Sequence, residues 1–282
     1  MNGQTLKIGI VAPGSPLTEE AADRVRALAA SLFPDHTPDL LFHPQCFGRW
    51  GHFAGTDDQR AGALVDYAND ETIDAIWFAR GGYGACRILD QTIPELNNEA
   101  RRKTFLGYSD AGSLLGALYA AGFRRLAHGP MPTDINREDG EKAVARALRF
   151  LVANDSSTVE PTLNSTSKAV AFNSTILAHL VGTPHLPDLT DHILMLEDVS
   201  EYAYRIDRTL WQITSTPQIR KIAGLRLGRF SDIPENDPDF QQTEEDIAQH
   251  WCAKSGIPYL GRADIGHDVD NKIVPFGKRV TS

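Results

Sequence analysis

Between Lys7 and Val152, short apolar runs rich in β-branched residues alternate with longer stretches whose apolar residues recur at helical spacing. The runs 7–12, 40–42, 73–78, 104–108 and 125–128 read as strands. Helices are expected over 18–32, with Ala22, Val25, Leu28 and Ala29 on one face, and over 111–121 and 142–152. Thr56 followed by Gln59 forms a capping box that opens a helix to about residue 67, and a short helix follows Gly81, Gly82 and Gly84. Strand, helix, strand, repeated, predicts a parallel sheet with helices on both faces. Ligands bind such sheets beyond the C-terminal strand ends. Pro13–Pro16, Arg80–Gly84 and Gly107–Asp110 fall there.

The alternation then stops. Residues 154–168 are polar and without period, which marks a linker. Beyond them, strands are expected at 169–172, 193–196, 224–227 and 272–274, and helices at 204–214 and 243–254. The chain therefore divides into a first domain over 1–153, a linker over 154–168 and a smaller α/β, β-rich domain over 169–282.

Composition removes several function classes. The net charge is −9, and no basic stripe is present to neutralise phosphates, so nucleic acid is not an expected partner. An anionic substrate would have to be held by individual arginines in a cleft. The three cysteines, Cys46, Cys86 and Cys252, are widely spaced, which disfavours a zinc site or a disulfide scaffold. No run approaches the length of a membrane span, and the polar start lacks the pattern of a signal peptide. A cytoplasmic location is the expectation.

Four segments carry candidate chemistry. In Gly107-Tyr108-Ser109-Asp110-Ala111 a serine sits where a strand turns into a helix. Such a turn holds the hydroxyl clear of the sheet and needs small residues two before and two after it, here Gly107 and Ala111. The Asp110 amide can then face an oxyanion. The competing reading is that Ser109 or Asp110 only caps the helix. The glycines of Arg80-Gly81-Gly82-Tyr83-Gly84 allow close backbone approach, as an oxyanion loop, an anion cradle or simply a tight turn. Glu197 and Asp198 end an apolar run, so one of them is buried and needs a donor: a histidine, or Arg205 or Arg208 nearby. His267 follows Gly266 in a loop, where it can act as a base or, with Asp268 and Asp270, ligate a metal. His128 is the rival base.

Together these segments resemble a known family. Val11-Ala12-Pro13-Gly14-Ser15, the 80–84 loop, Gly107–Asp110, Gly129-Pro130-Met131, Leu196-Glu197-Asp198-Val199, Tyr204-Arg205-Ile206-Asp207-Arg208 and Gly266-His267 are similar, in this order, to the LD-carboxypeptidases. These are the murein tetrapeptide carboxypeptidases and the related microcin-immunity peptidases. The resemblance spans residues 7 to 277. It implies a flavodoxin-like first domain, a smaller second domain and a site in the cleft between them. It implies a Ser109–Glu197–His267 triad, with backbone amides of Asp110 and Gly82 as oxyanion hole. It also implies a homodimer that needs no metal or other cofactor. One block departs: the family's Gly-Gly-Asn-Leu before Gly-Thr-Pro is here Ala171-Phe172-Asn173-Ser174-Thr175-Ile176.

The expected activity is hydrolysis of an amide between an L-centre and a terminal D-residue, releasing D-alanine from a murein tetrapeptide in cell-wall recycling. Arg80, Tyr83, Arg205 and Arg208 are candidates to bind that muropeptide. One alternative keeps the triad but cleaves peptidyl or aminoacyl nucleotides, with Trp50, Trp77 or Trp211 stacking on the base. Another is a small-molecule binding protein without catalysis.

Overall fold

The computed structural model describes residues 5–278. The first sheet is built from β1 (Lys7–Val11), β2 (Asp39–Phe42), β3 (Ala75–Phe78), β4 (Thr104–Gly107) and β5 (Leu126–His128). Between and after them lie α1 (Glu19–Leu32), α2 (Asp57–Asn69), the single turn α3 (Leu89–Thr92), α4 (Gly112–Ala120) and α5 (Gly140–Ala153). Thr18 caps α1, and Thr56 and Gln59 form the expected box on α2. β3, Ala-Ile-Trp-Phe, is buried at every position, as a central parallel strand covered on both faces must be.

The five strands pair in parallel in the order β2-β1-β3-β4-β5, which is the flavodoxin-like winding. The direction of winding reverses between β1 and β3. At that switch the Pro13–Ser15 loop meets the 80–84 loop: Ser15 N donates to Gly81 O at 3.1 Å.

The second sheet contains β6 (Lys168–Asn173), β7 (Ile193–Val199), β8 (Gly224–Ser231) and β9 (Tyr259–Arg262), all parallel neighbours. Its helices are α6 (Ser174–Leu180), α7 (Ala203–Ser215) and α8 (Glu244–Ser255). This half is thus a second, smaller α/β layer, as expected. α6 and β9 had no counterpart in the sequence reading. α6 is too short for its apolar spacing to register, and β9 is an incompletely buried strand interrupted by Gly261 at φ 82°.

The chain end ties the two sheets together. β10 (Val274–Pro275) pairs antiparallel with β5, and β11 (Gly277–Lys278) pairs antiparallel with β6. Phe276, between them, packs on both Tyr119 of α4 and Phe172 of β6. One apolar core runs from Phe78 and Phe105 through Leu114 to Phe172, Leu196 and Leu227. The polar stretch at 154–168 is anchored by Glu160, which is buried and accepts from Asp264 N at 3.2 Å. Among the described residues, no helix is long and apolar enough to cross a membrane.

Candidate active site

Ser109 stands at the C-terminal edge of the first sheet. Its φ is 59°, a strained value for a residue with a Cβ. β4 comes in tightly here: a Cβ on Gly107 would lie 2.7 Å from Phe78 Cδ2. Ala111 is fully buried against the turn. Neither Ser109 nor Asp110 caps α4 with its side chain.

The serine hydroxyl is instead 3.0 Å from His267 Nε2. On the other side of the ring, Nδ1 is hydrogen-bonded to Glu197 Oε2. A carboxylate can only accept, so Nδ1 carries the proton, Nε2 is free to accept, and the serine donates. Glu197 is completely buried on β7. Burial alone would lower the His267 pKa, but the Glu197 carboxylate, with Asp198 and Asp134 beyond it, outweighs that and raises it above 6.5.

The rival residues are elsewhere. His128 ends β5, is buried, and is held neutral by burial, with a pKa lowered to about 3. Its ring lies edge-on to Tyr108, so it is no base for Ser109. Arg205 pairs with Glu201 at 3.5 Å, and Arg208 lies over the Tyr204 ring; neither reaches Glu197 or Asp198 through an ion pair. Both acids turn inward. Asp198 accepts from Asn173 Nδ2 at 2.7 Å and from Thr175 Oγ1 at 2.9 Å, so the block that departs from the family pattern is the carboxylate's binding partner. Asp268 is engaged by Arg229, and both His267 nitrogens are occupied, which leaves no ligand set for a metal at that loop.

The glycine loop lies against the serine. A Cβ on Gly81 would sit 2.9 Å from Ser109 Oγ, and one on Gly82 would sit 2.3 Å from Ser15 Oγ. Gly82 has φ 73°. Arg80 is exposed on this loop and donates to Pro16 O at 3.1 Å. Tyr83 is 54% exposed, and its ring is 6.0 Å from Phe53. Of the three candidate tryptophans, Trp77 is buried and donates to Pro130 O, so it cannot stack on a ligand; Trp50 and Trp211 are exposed.

A family model for the LD-carboxypeptidase N-terminal domain matches residues 8–129, and one for the C-terminal domain matches 166–281. A putative carboxypeptidase of Synechocystis is 32% identical over 97% of this chain and 90% of its own length. The chain belongs to the LD-carboxypeptidase family. The murein tetrapeptide carboxypeptidase of Pseudomonas aeruginosa is 29% identical, covering 96% of this chain and 91% of that protein. A crystal structure of the muramoyltetrapeptide carboxypeptidase of Oxalobacter formigenes superposes with a TM-score of 0.79 at 25% identity, over 95% of this chain and 93% of that one. The chain is therefore placed among hydrolases of the carboxypeptidase type.

In this member of the family the histidine loop is held by residues that the sequence did not single out. Arg146 of α5 donates to Val269 O at 2.7 Å and Asn271 O at 3.0 Å. Arg229 grips Asp264 and Asp268 from β8, and Asn271 Oδ1 accepts from Gly266 N at 3.2 Å. A Cβ on Gly228 would come within 2.7 Å of Ile265 and 3.0 Å of the Glu197 Cβ. A glycine and an arginine inside an apolar strand were the available signal, since glycine in a strand marks close approach.

Proposed function

We propose that this protein is a serine carboxypeptidase that removes the terminal D-alanine of a murein tetrapeptide by hydrolysing an L,D-amide. The observation that carries the reading is the continuous hydrogen-bonded path from Ser109 through His267 to Glu197. As the Ser109 oxygen attacks the scissile carbonyl, Nε2 of His267 takes its proton, and Glu197 stabilises the imidazolium. The amides of Asp110 and Gly82 receive the oxyanion; one such donor is worth on the order of 10²–10³ in rate. His267 then protonates the departing amine of D-alanine. Water enters, gives its proton to Nε2 and attacks the acyl ester, and the proton returns to the Ser109 oxygen as the ester breaks.

The leaving residue carries a free carboxylate. Arg80 is the best placed of the candidate arginines, because it shares a loop with Gly81, which touches Ser109, and has guanidinium donors beyond the one bonded to Pro16. Tyr83, exposed on the same loop, would flank the peptide.

The test is mass spectrometry of the protein incubated with L-Ala-D-iGlu-meso-diaminopimelate-D-Ala. Loss of one D-alanine, abolished in Ser109→Ala and in His267→Ala, is the expected result. If the tetrapeptide is untouched but an aminoacyl nucleotide is cleaved, the triad stands and the substrate assignment falls. Absence of any turnover and of serine labelling would leave only a binding protein.

A further inference from the structure

The two proposed oxyanion donors come from different elements. The Asp110 amide belongs to the turn between β4 and α4, whereas Gly82 belongs to the loop after β3. That loop holds glycines at 81, 82 and 84, with φ 73° at Gly82 and 144° at Gly84, so its own backbone does little to fix its shape.

Contacts from three directions pin it. Ser15 N donates to Gly81 O at 3.1 Å, and the buried Arg60 donates from Nη1 to Gly84 O at 2.8 Å. The third contact is the Asp110 carboxylate itself. Its Oδ2 accepts from Ala85 N at 2.8 Å, and the Gly84 amide is a further donor to it. The short 3-10 turn Ala85–Ile88 starts at Gly84, which has no side chain to cap it; Asp110 supplies that cap from the neighbouring strand end.

We infer that the Asp110 side chain is a positioning residue that couples the two halves of the oxyanion hole, binding the 84–85 amides so that the Gly82 and Asp110 amides keep a common target. This rests on the reading of Ser109 as nucleophile and of those two amides as oxyanion donors. The carboxylate is 7% exposed. Burial raises its pKa to about 6, against the pull of the Ala85 and Gly84 amides. Arg60 of α2 and His52 of the preceding loop favour its charged form, while the Cys86 thiol beyond the glycine loop is itself raised by burial and by Asp110. Asp110 is therefore ionised at pH 8 and loses its charge as pH falls through about 6. A displacement of about 1 Å in such a site costs on the order of 10² in rate.

The rate of labelling by a fluorophosphonate tests this without knowledge of the natural substrate, since phosphonylation of the serine uses the same oxyanion donors. At pH 8, Asp110→Ala is expected to label roughly 10- to 100-fold more slowly than wild type. Asp110→Asn, which keeps one acceptor oxygen, should fall between them with melting close to wild type. Below pH about 6 the wild-type rate should fall more steeply than that of Asp110→Asn, because wild type loses both the imidazole base and the carboxylate charge. Wild-type rates in both variants, with superimposable pH profiles, would overturn the inference while leaving the triad intact. If Asp110→Ala does not fold, the rate and pH profile of Asp110→Asn decide. Labelling that persists in Ser109→Ala, or is absent in wild type, would instead remove the nucleophile reading beneath it.

Discussion

The Ser109 turn and the histidine loop face each other across the site, and they are held in opposite ways. Ser109 is placed by its immediate neighbours: β4 runs into it, Gly107 lets the strand pass Phe78, and α4 begins three residues later. His267 lies in the irregular stretch between β9 and β10, and its position is set from far along the chain. Arg146 reaches it from the first sheet's layer, Arg229 from β8, and Glu197 from β7. A strained turn inside a sheet edge is a local solution to local sterics. A loop without a ladder of its own needs charged side chains on its carbonyls and carboxylates to stay in place. The difference teaches that, in the proposed mechanism, the locally held half of the site would supply the nucleophile and the tethered half the base. Damage to the two halves should therefore show up differently.

The largest effect is expected from Ser109→Ala. Loss of the attacking oxygen should lower kcat on the order of 10⁴- to 10⁶-fold with the fold unchanged, as read by steady-state release of D-alanine. Glu197→Gln keeps the shape but lets Nδ1 lose its acceptor of choice, so kcat should fall on the order of 10⁴-fold. The same variant sharpens the pH argument. In wild type the raised His267 pKa means that the base is protonated, and activity lost, as pH falls through a value above 6.5. Any residual activity of Glu197→Gln should keep its acid limb at lower pH, and an unmoved limb in the pH–rate profile would break the assignment of that shift to Glu197.

Arg146→Ala probes the tether. It leaves every residue of the path in place but frees the carbonyls of Val269 and Asn271. A fall in kcat of roughly 10- to 100-fold with little change in KM is expected, since misplacement by about 1 Å costs that much. Equal kcat in wild type and variant would show that the loop holds itself. Per pH unit, the smallest effect concerns stability. His128 is neutral in the folded chain with a pKa near 3, while the unfolded chain takes up a proton near 6.5. The unfolded state therefore binds more protons between those values, and stability drops as pH falls from 6.5 towards 3, by about 1 kcal/mol per pH unit from this group. Denaturant titration of His128→Phe should show a shallower dependence over that window.

Much of the first half was legible in the sequence because its signals are short-range. The capping box at Thr56 and Gln59, the buried run of β3 and the small residues around Ser109 each report on neighbours a few positions away. One of Glu197 and Asp198 was legible as a buried acid, but that both are buried, and their partners, were not. Asp198 finds Asn173 and Thr175 only once β6 lies beside β7, and Glu197 finds His267 only once the loop after β9 folds back over β8. The exposed arginines of α7 looked equally available on sequence distance, and the helix carries them to Glu201 and Tyr204 instead.

Ser109 was thus marked as a candidate by the sequence alone, since the order strand, small residue, serine, small residue, helix is a property of adjacent residues and the turn they can form, with the helix-cap reading left open at that level. The parallel sheet with helices on both faces was legible in the same way, from hydrophobic period, while its flavodoxin-like winding was implied only by the family resemblance. What only the tertiary structure decided is which histidine serves that serine. His128 ends a strand-like run and His267 follows a glycine in a loop, and the sequence leaves both open as the base. Burial without a carboxylate leaves the first neutral behind Tyr108. Packing of the second sheet against the first delivers the second to Ser109 with Glu197 at its back, because a charge-stabilising partner for an imidazole has to be brought through space and not along the chain.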